Sequence, residues 1–282
     1  MKKAFFVLAV ATLSMGASTA YDPTVFAPDL ISGGDVTLER AKVTEEEFEL
    51  ALFDFQENNT ATTFTVLMTA AFSFSDSLEP HEVVKKIIKP LAPFVAKSSN
   101  FMHIWTQKVL FQKFSSKAGL AVALLLKADL FKDAVEVLDG IVRTPATQEW
   151  LTNRIITVAL ATMVMVILFD PDWAYDTIRL LARSEYKLIE KTGSWGSTLH
   201  LLTDLARGPY EDEDLPDFLI KPIYYFAREL VRYVDAHCVK LFEERDGFDR
   251  TAREYALVWK DFCQDKKPNS AYLLGSIERL LK

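Results

Sequence analysis

Apolar side chains recur at three- and four-residue spacing along much of the chain after residue 44, and this periodicity constrains the fold most. Such spacing indicates helices that bury one face. It occurs at Phe48, Leu52 and Phe55; at Phe131, Ala134, Leu138 and Ile141; and at Ile178, Leu181 and Ala182. Glycine is scarce, with 10 residues in 282, which favours helices with short links over a hairpin-rich β-fold. We therefore predict an all-α fold, either a multi-helix bundle or an irregular α-solenoid of helical hairpins.

Local capping patterns predict where several helices begin. Thr44 and Glu47 form a capping-box pattern, in which the Thr hydroxyl and the Glu carboxylate satisfy each other's backbone N–H groups. Asp170 followed by Pro171 predicts a second start, and we expect that helix to continue to Lys191 and to stop before Gly193. The segment 62–74 is ambiguous. Its length and paired alanines favour a buried helix, whereas its β-branched and aromatic residues would suit a strand.

Residues 115–143 have the pattern of a helical hairpin with its turn near residues 127–129. The hairpin resembles one tetratricopeptide-type unit, with a large residue three positions before Ala134 and with Pro145 near the end of the unit. The pattern does not recur one period later, so no repeat array is predicted. Three further helices are expected over 218–245, 249–265 and 269–281.

The first twenty residues have the layout of a secretory signal peptide. Lys2 and Lys3 precede an apolar stretch over 4–13, and Ser18 and Ala20 supply small residues for cleavage after Ala20. We expect a secreted or extracytoplasmic protein. A retained membrane anchor and a buried helix are the alternatives for this segment.

The remaining chain divides into four predicted parts. An extended lead-in over 21–35 precedes a helical core over 36–207, an acidic loop over 208–217, and a C-terminal helical lobe over 218–282 packed on the core. The apolar stretch 155–169 is short for a membrane span and is expected to be a core helix. If the N-terminal segment is retained, that stretch could instead be an interface helix in a membrane-associated complex.

The charge of the chain excludes some partner classes. Its formal net charge is −7, and no basic stripe is present, so nucleic acid is not an expected partner. Membrane association is expected only if the N-terminal segment is retained. A protein partner is expected.

Three groups of residues are candidate sites. Cys238 and Cys263 are a candidate disulfide pair, because an exported protein with two cysteines favours one bridge; two separate buried thiols are the alternative. Asn58 begins an Asn-Asn-Thr sequon and is a candidate glycosylation site in a eukaryotic secretory pathway. The third group is an acidic run: Glu211, Asp212, Glu213 and Asp214.

The acidic run has three possible roles. Its carboxylates could hold Ca²⁺, although the spacing is not that of an EF-hand loop. It could instead contact a basic partner. The remaining alternative is a solvated acidic loop without a ligand.

Catalytic and metal-binding motifs are not found in the sequence. The four histidines have no zinc-ligand spacing, and the glycines at 193 and 196 fit neither a nucleophile elbow nor a phosphate-binding loop. His237 and Cys238 are neighbours on a predicted helix and therefore point in different directions. We predict no catalytic residues, no cofactor and no metal beyond the calcium candidate at the acidic run.

The function expected from these observations is an exported, non-enzymatic helical module for protein–protein interaction or scaffolding. A binder of a lipid, pigment or other apolar molecule is an alternative, because aromatic and Met residues are abundant. A subunit of a membrane-associated complex is another. An active site assembled from distant residues also remains open.

Overall fold

The computed structural model describes residues 43–98, 100–102, 105, 116–143, 162–185, 187–190, 192–193, 196–208 and 213–281. These residues fall into two compact units, 43–77 and 78–281. Both units are built of helices, so the predicted all-α class is confirmed. The predicted leader and lead-in lie outside the described residues. The described parts of 208–217 belong to the second unit.

The first unit is a pair of packed helices, α1 (Glu45–Glu57) and α2 (Ala61–Ser75). Aromatic rings join them: Phe48 stacks on Phe74 with ring centroids 5.6 Å apart, and Phe55 meets Phe64 edge-on at 5.4 Å. The segment 62–74, which the sequence left ambiguous, is helical. Its apolar side chains are buried along several sides of α2.

Both helices of this unit start at a capping box. The Thr44 hydroxyl accepts the Glu47 N–H, and the Glu47 carboxylate accepts the Thr44 N–H at 2.7 Å, as the sequence predicted. Thr60 and Thr63 form the same arrangement at the start of α2. At the start of α1, the hydrogen bonds from the Thr44 N–H and hydroxyl also lower the pKa of Glu47.

The second unit begins with a continuous helix, α3, and a helical hairpin. Helix α3 runs through Pro80–Val83, a π-helical turn at Val84–Ile88, and Lys89–Lys97. The hairpin is α4 (Ser116–Lys127) and α5 (Phe131–Arg143), which confirms the hairpin predicted over 115–143. Of the apolar stretch 155–169, residues 162–169 are described and are helical.

The next helix follows a short 3₁₀ turn at Pro171–Trp173. The Asp170 carboxylate accepts the Asp172 N–H at 3.1 Å, so Asp170 caps the start as predicted. Helix α6 (Ala174–Arg183) continues from this turn. A 3₁₀ turn at Leu188–Glu190 and two very short paired strands, β1 (Thr192–Gly193) and β2 (Gly196–Ser197), lead to α7.

Four helices form the C-terminal cluster of this unit. They are α7 (Thr198–Arg207), α8 (Asp217–His237), α9 (Ala252–Cys263) and α10 (Pro268–Leu280), with a 3₁₀ turn at Val239–Phe242. Helix α7 packs against the other three, and α10 packs against both α8 and α9. Earlier in the unit, α3 packs on α4, α4 on α5, α5 on α6, and α6 on α8.

Two helices end eight residues earlier than the sequence predicted. Helix α6 ends at Arg183 rather than near Lys191, because Asp139 on α5 accepts hydrogen bonds from the Ser184 hydroxyl and the Glu185 N–H and holds the chain as it leaves the helix. Helix α8 ends at His237 rather than near 245. The next residue, Cys238, leaves the helical backbone with φ at −143°.

Candidate functional site

The carboxylate of Asp214 caps a helix that begins more than fifty residues further along the chain. Its Oδ2 accepts the Asn269 N–H at 3.0 Å, and its Oδ1 accepts the Ser270 N–H at 3.0 Å. The same Oδ1 accepts the N–H of Leu215 at 2.8 Å. These donors include two first-turn N–H groups of α10, which have no partner inside the helix. Asp214 therefore has a structural role, and its negative charge suits the helix N-terminus.

The other side of the same region closes the end of α7. The carbonyl oxygen of Arg207 accepts the Ser270 hydroxyl at 3.0 Å and the Lys267 ammonium at 3.2 Å. Lys267 is almost fully buried, with 2% of its surface exposed. A cation at a helix C-terminus is favourable, because the last carbonyls carry partial negative charge. We call Arg207, Asp214, Lys267, Asn269 and Ser270 the capping junction.

The side chain of Asn269 completes the capping junction. Its Nδ2 donates to the Leu215 carbonyl at 2.8 Å and to the Asp217 carboxylate at 2.7 Å. The N-terminus of α10 is thereby fixed to the start of α8. The chemistry of the junction is helix capping.

Of the four residues in the acidic run, the structure describes two. Asp214 belongs to the capping junction and Glu213 is exposed, while Glu211 and Asp212 lie outside the described residues. Within the described ranges, no group of three or more His, Cys, Asp or Glu side chains could hold a metal ion. The calcium site and the contact with a basic partner at this run stay predictions.

A carboxyl–tyrosine pair lies between α7 and α9. The Tyr255 hydroxyl donates to Asp204 at 3.2 Å, and Arg207 forms an ion pair with Asp204 at 3.1 Å. Burial raises the pKa of Asp204, although Arg207 and the Tyr255 hydrogen bond oppose the shift. Burial and the neighbouring Asp204 raise the pKa of Tyr255 to about 12, so the phenol stays a hydrogen-bond donor.

The guanidinium of Arg207 also covers an aromatic ring. It lies 4.2 Å from the ring centroid of Trp259, within the range of a cation–π interaction. Arg207 thus joins the capping junction to the Asp204–Tyr255 pair. The arrangement ties α7 to α9, in keeping with a structural role.

Ser197 and His200 lie close together, but their environment does not suit nucleophilic catalysis. The Ser197 hydroxyl lies 3.2 Å from Nδ1 of His200, and the serine is fully buried. The Nε2 of His200 lies 2.9 Å from the carbonyl oxygen of Arg250, so Nε2 carries the proton and Nδ1 accepts the Ser197 N–H at 3.0 Å. Burial lowers the pKa of His200, although the Arg250 carbonyl opposes the shift. The pair caps α7 as a capping box.

Gly196 makes room for the histidine. Its backbone φ is +89°, and a Cβ at this position would lie 2.4 Å from Nδ1 of His200. A residue with a side chain would therefore be both strained and in contact with the ring.

The predicted disulfide is not formed. Cys238 and Cys263 are free, buried thiols. Cys238 follows α8 and Cys263 ends α9, and α10 packs against both of these helices. Helices α8 and α9 are not among the helix pairs that pack closely on each other, so the two cysteines do not lie on facing arms of one hairpin. Burial raises the pKa of both thiols, and Glu190 adds to the effect at Cys238, so neither thiol is activated as a thiolate.

Asn58 is exposed at the end of α1. Its Nδ2 donates to the Asp54 carboxylate at 2.9 Å, and its sequon partner Thr60 caps α2. The position is open to solvent, as a glycosylated asparagine must be. Glycosylation at Asn58 stays a prediction.

The outer face of α9 exposes large apolar side chains. The exposed fractions are 37% for Leu257, 49% for Val258 and 50% for Phe262. Trp259 meets Phe262 edge-on, with centroids 5.3 Å apart. We call Leu257, Val258 and Phe262 the α9 face. Sequence reasoning missed this face. The signal was available, because α9 has apolar residues on two sides: one set at 255, 256 and 263, and a second set at 257, 258 and 262.

A shallow pocket of about 220 Å³ lies between the start of α6 and helix α8. Arg228 and Glu229 line it together with two tyrosines, Tyr175 and Tyr225. The Arg228 guanidinium lies 4.9 Å from the centroid of Tyr225 and also pairs with Glu229 at 3.1 Å. The pocket is smaller than the roughly 300–1,000 Å³ that is typical of small-molecule sites.

Comparison with known proteins gives no match: no family model, no curated protein and no solved structure is significantly similar to this chain. Of the helices in the described ranges, none combines the length and the apolarity that crossing a membrane requires.

Proposed function

We propose that this protein is an exported, non-enzymatic helical module that binds a protein partner through the α9 face. The observation that carries the proposal is the exposure of Leu257, Val258 and Phe262 on one helix. Clustered apolar side chains on a surface are typical of interaction sites.

Helix α9 is held firmly enough to serve as a docking surface. It packs against α7 and α10, and Arg253 pairs with Glu278 of α10 at 2.9 Å. A partner would pay little conformational entropy to order a surface that is already fixed.

The chemistry of the α9 face favours an apolar partner surface, such as one side of a helix. Complete burial of a Leu, Val or Phe side chain contributes about 1.5–3 kcal/mol. Polar groups nearby are engaged in the protein: Tyr255 with Asp204, and Arg253 with Glu278. Because these polar groups already have partners in the protein, the α9 face would bind through apolar contact rather than through polar or charged groups.

Site-specific photo-crosslinking in the native host tests the proposal. A photoreactive side chain is placed at 262 on the α9 face, and the matched control has it at 272 on α10, where Tyr272 is 66% exposed. We expect a defined crosslinked protein from position 262 that is lost in the Leu257→Ser/Val258→Ser variant. The same crosslinks from both positions, or none from 262, would contradict the proposal.

A further inference from the structure

The negative charge of this protein is concentrated in its first unit. Residues 43–77 contain seven acidic side chains and no lysine or arginine. The whole chain has 39 acidic and 32 basic side chains. The rest of the chain therefore has 32 of each sign and is formally neutral, so the net charge of −7 equals the charge of this unit alone.

Six of these seven acidic residues lie on α1, which also exposes two large apolar side chains. Leu50 is 62% exposed and Phe53 is 61% exposed. At 100° per residue, both lie on the side of the helix opposite Phe48 and Phe55, which are buried. Helix α1 therefore has a second apolar strip that faces solvent.

Carboxylates surround this second strip. Seen down the helix axis, Glu46 and Glu57 lie between Leu50 and Phe53, one turn before and one turn after them, and Glu49 lies on one flank. All three are exposed. Glu47 is already engaged in the capping box. We call Leu50, Phe53, Glu46, Glu49 and Glu57 the α1 face.

We propose that the α1 face is a docking site for a basic amphipathic helix of another protein. The apolar strip of that helix would cover Leu50 and Phe53, and its Lys or Arg side chains would pair with Glu46, Glu49 and Glu57. Helix-on-helix docking uses apolar anchors at three- and four-residue spacing, and complementary charge sets orientation and the association rate.

The charge of the unit argues against two other occupants. A second copy would bring a like-charged α1 face against this one, which is unfavourable. An anionic membrane would repel the same carboxylates. The α1 face shares no residue with the α9 face, so the two proposals can succeed or fail independently.

The test measures binding of a labelled 18-residue Leu/Lys peptide with helical amphipathic spacing to the full chain. The first variant is Leu50→Ser/Phe53→Ser, and the second is Glu46→Gln/Glu49→Gln/Glu57→Gln. The matched control is Val239→Ser/Tyr272→Ser, which removes two exposed apolar side chains that belong to neither face. Fluorescence anisotropy at two salt concentrations gives the dissociation constants.

We expect the first variant to weaken binding about tenfold or more, and the second to weaken binding and reduce its salt dependence. The Val239→Ser/Tyr272→Ser control should bind as the wild type does. Equal binding by wild type and both α1 variants would overturn the proposal, as would equal binding of a scrambled Leu/Lys peptide without an apolar face. A wild-type dimer that dissociates on Leu50→Ser/Phe53→Ser would assign the face to a second copy instead.

Discussion

Both helices of the unit 43–77 start at a local cap, whereas the unit 78–281 also has a helix that is capped from a distant part of the chain. In the unit 43–77, α1 and α2 each start at a box formed by residues three apart, Thr44 with Glu47 and Thr60 with Thr63. In the unit 78–281, α10 is capped by Asp214, 55 positions before Asn269. Local boxes also start α7 and α9, so the tertiary cap of α10 is the feature that distinguishes the second unit from the first.

This difference separates local stability from global stability. A local box holds only its own first turn, so its loss frays one helix. The capping junction joins the end of α7, the start of α8 and the start of α10, so its loss affects three elements at once. Substitutions in the two units should therefore differ in both the size and the spread of their effects.

The largest effect is expected for Gly196→Ala, which disrupts a cap that is both local and tertiary. Alanine would adopt an unfavourable φ near +89° and collide with His200. We expect a loss of about 3 kcal/mol in the free energy of unfolding, measured by urea denaturation.

The control is Gly275→Ala, where the nearest atom to the new Cβ is 3.4 Å away on the flexible Lys260 side chain. It should be neutral or stabilising by up to about 1 kcal/mol. Similar losses for both would contradict the explanation.

Asp214→Ala should have the next largest effect. It leaves the N–H groups of Asn269 and Ser270 without their acceptor, and we expect a loss of about 2 kcal/mol in the free energy of unfolding. Glu213→Ala changes the exposed neighbour and should stay within about 0.5 kcal/mol of wild type. If the two variants are equally stable, the capping role of Asp214 is wrong.

Thr44→Ala should have a smaller effect that stays within its own unit. The substitution removes the acceptor for the Glu47 N–H, and we expect α1 to lose about 1 kcal/mol. Hydrogen exchange should be faster at amides of α1 and unchanged at amides of α10. Thr44→Ser, which keeps the hydroxyl, should restore the wild-type exchange rates. Faster exchange throughout the unit 78–281 would show that the cap is not local.

The smallest effects concern the dependence of stability on pH. Burial lowers the pKa of His200 below its ordinary 6.5, so the unfolded chain binds a proton at higher pH than the folded one. Its contribution to the free energy of unfolding should therefore fall as the pH drops below 6.5. Burial raises the pKa of Asp204 above its ordinary 3.8, so here the folded protein binds the proton first. The Asp204 contribution should rise as the pH falls through its raised pKa towards 3.8.

Urea denaturation from neutral pH to about pH 4 separates the two groups. His200→Gln should remove the loss of stability that begins below 6.5, and Asp204→Asn should remove the opposite contribution at lower pH. The slopes rather than the absolute stabilities are compared, because both substitutions change hydrogen bonds. An unchanged slope in His200→Gln would exclude a buried neutral histidine.

The sequence predicted what depends on near neighbours. The box at Thr44 and Glu47, the cap at Asp170 and the hairpin over 115–143 were predicted, since each depends on residues a few positions apart. The ends of α6 and α8 were predicted too late. Neither Arg183 nor His237 is followed by Gly or Pro, and the chain after α6 is held instead by Asp139 of another helix.

The candidate sites were harder to predict, because they depend on residues that lie far apart in the sequence. Asp214 stands in an acidic run, and only the three-dimensional fold shows that its carboxylate faces the start of α10. The spacing of Cys238 and Cys263 was compatible with a bridge, but the sequence does not show that α10 packs on both α8 and α9.

The position of Asp214 also bears on the order in which the chain folds. The boxes of α1 and α2 can close as soon as each helix forms, because only a few residues separate the partners. The first turn of α10 gains its cap only after a chain segment of 55 residues has closed, and closing such a segment costs entropy before any contact repays it. We therefore expect the amides of α10 to gain their full protection from hydrogen exchange late in folding, when α7 and α8 are already in place.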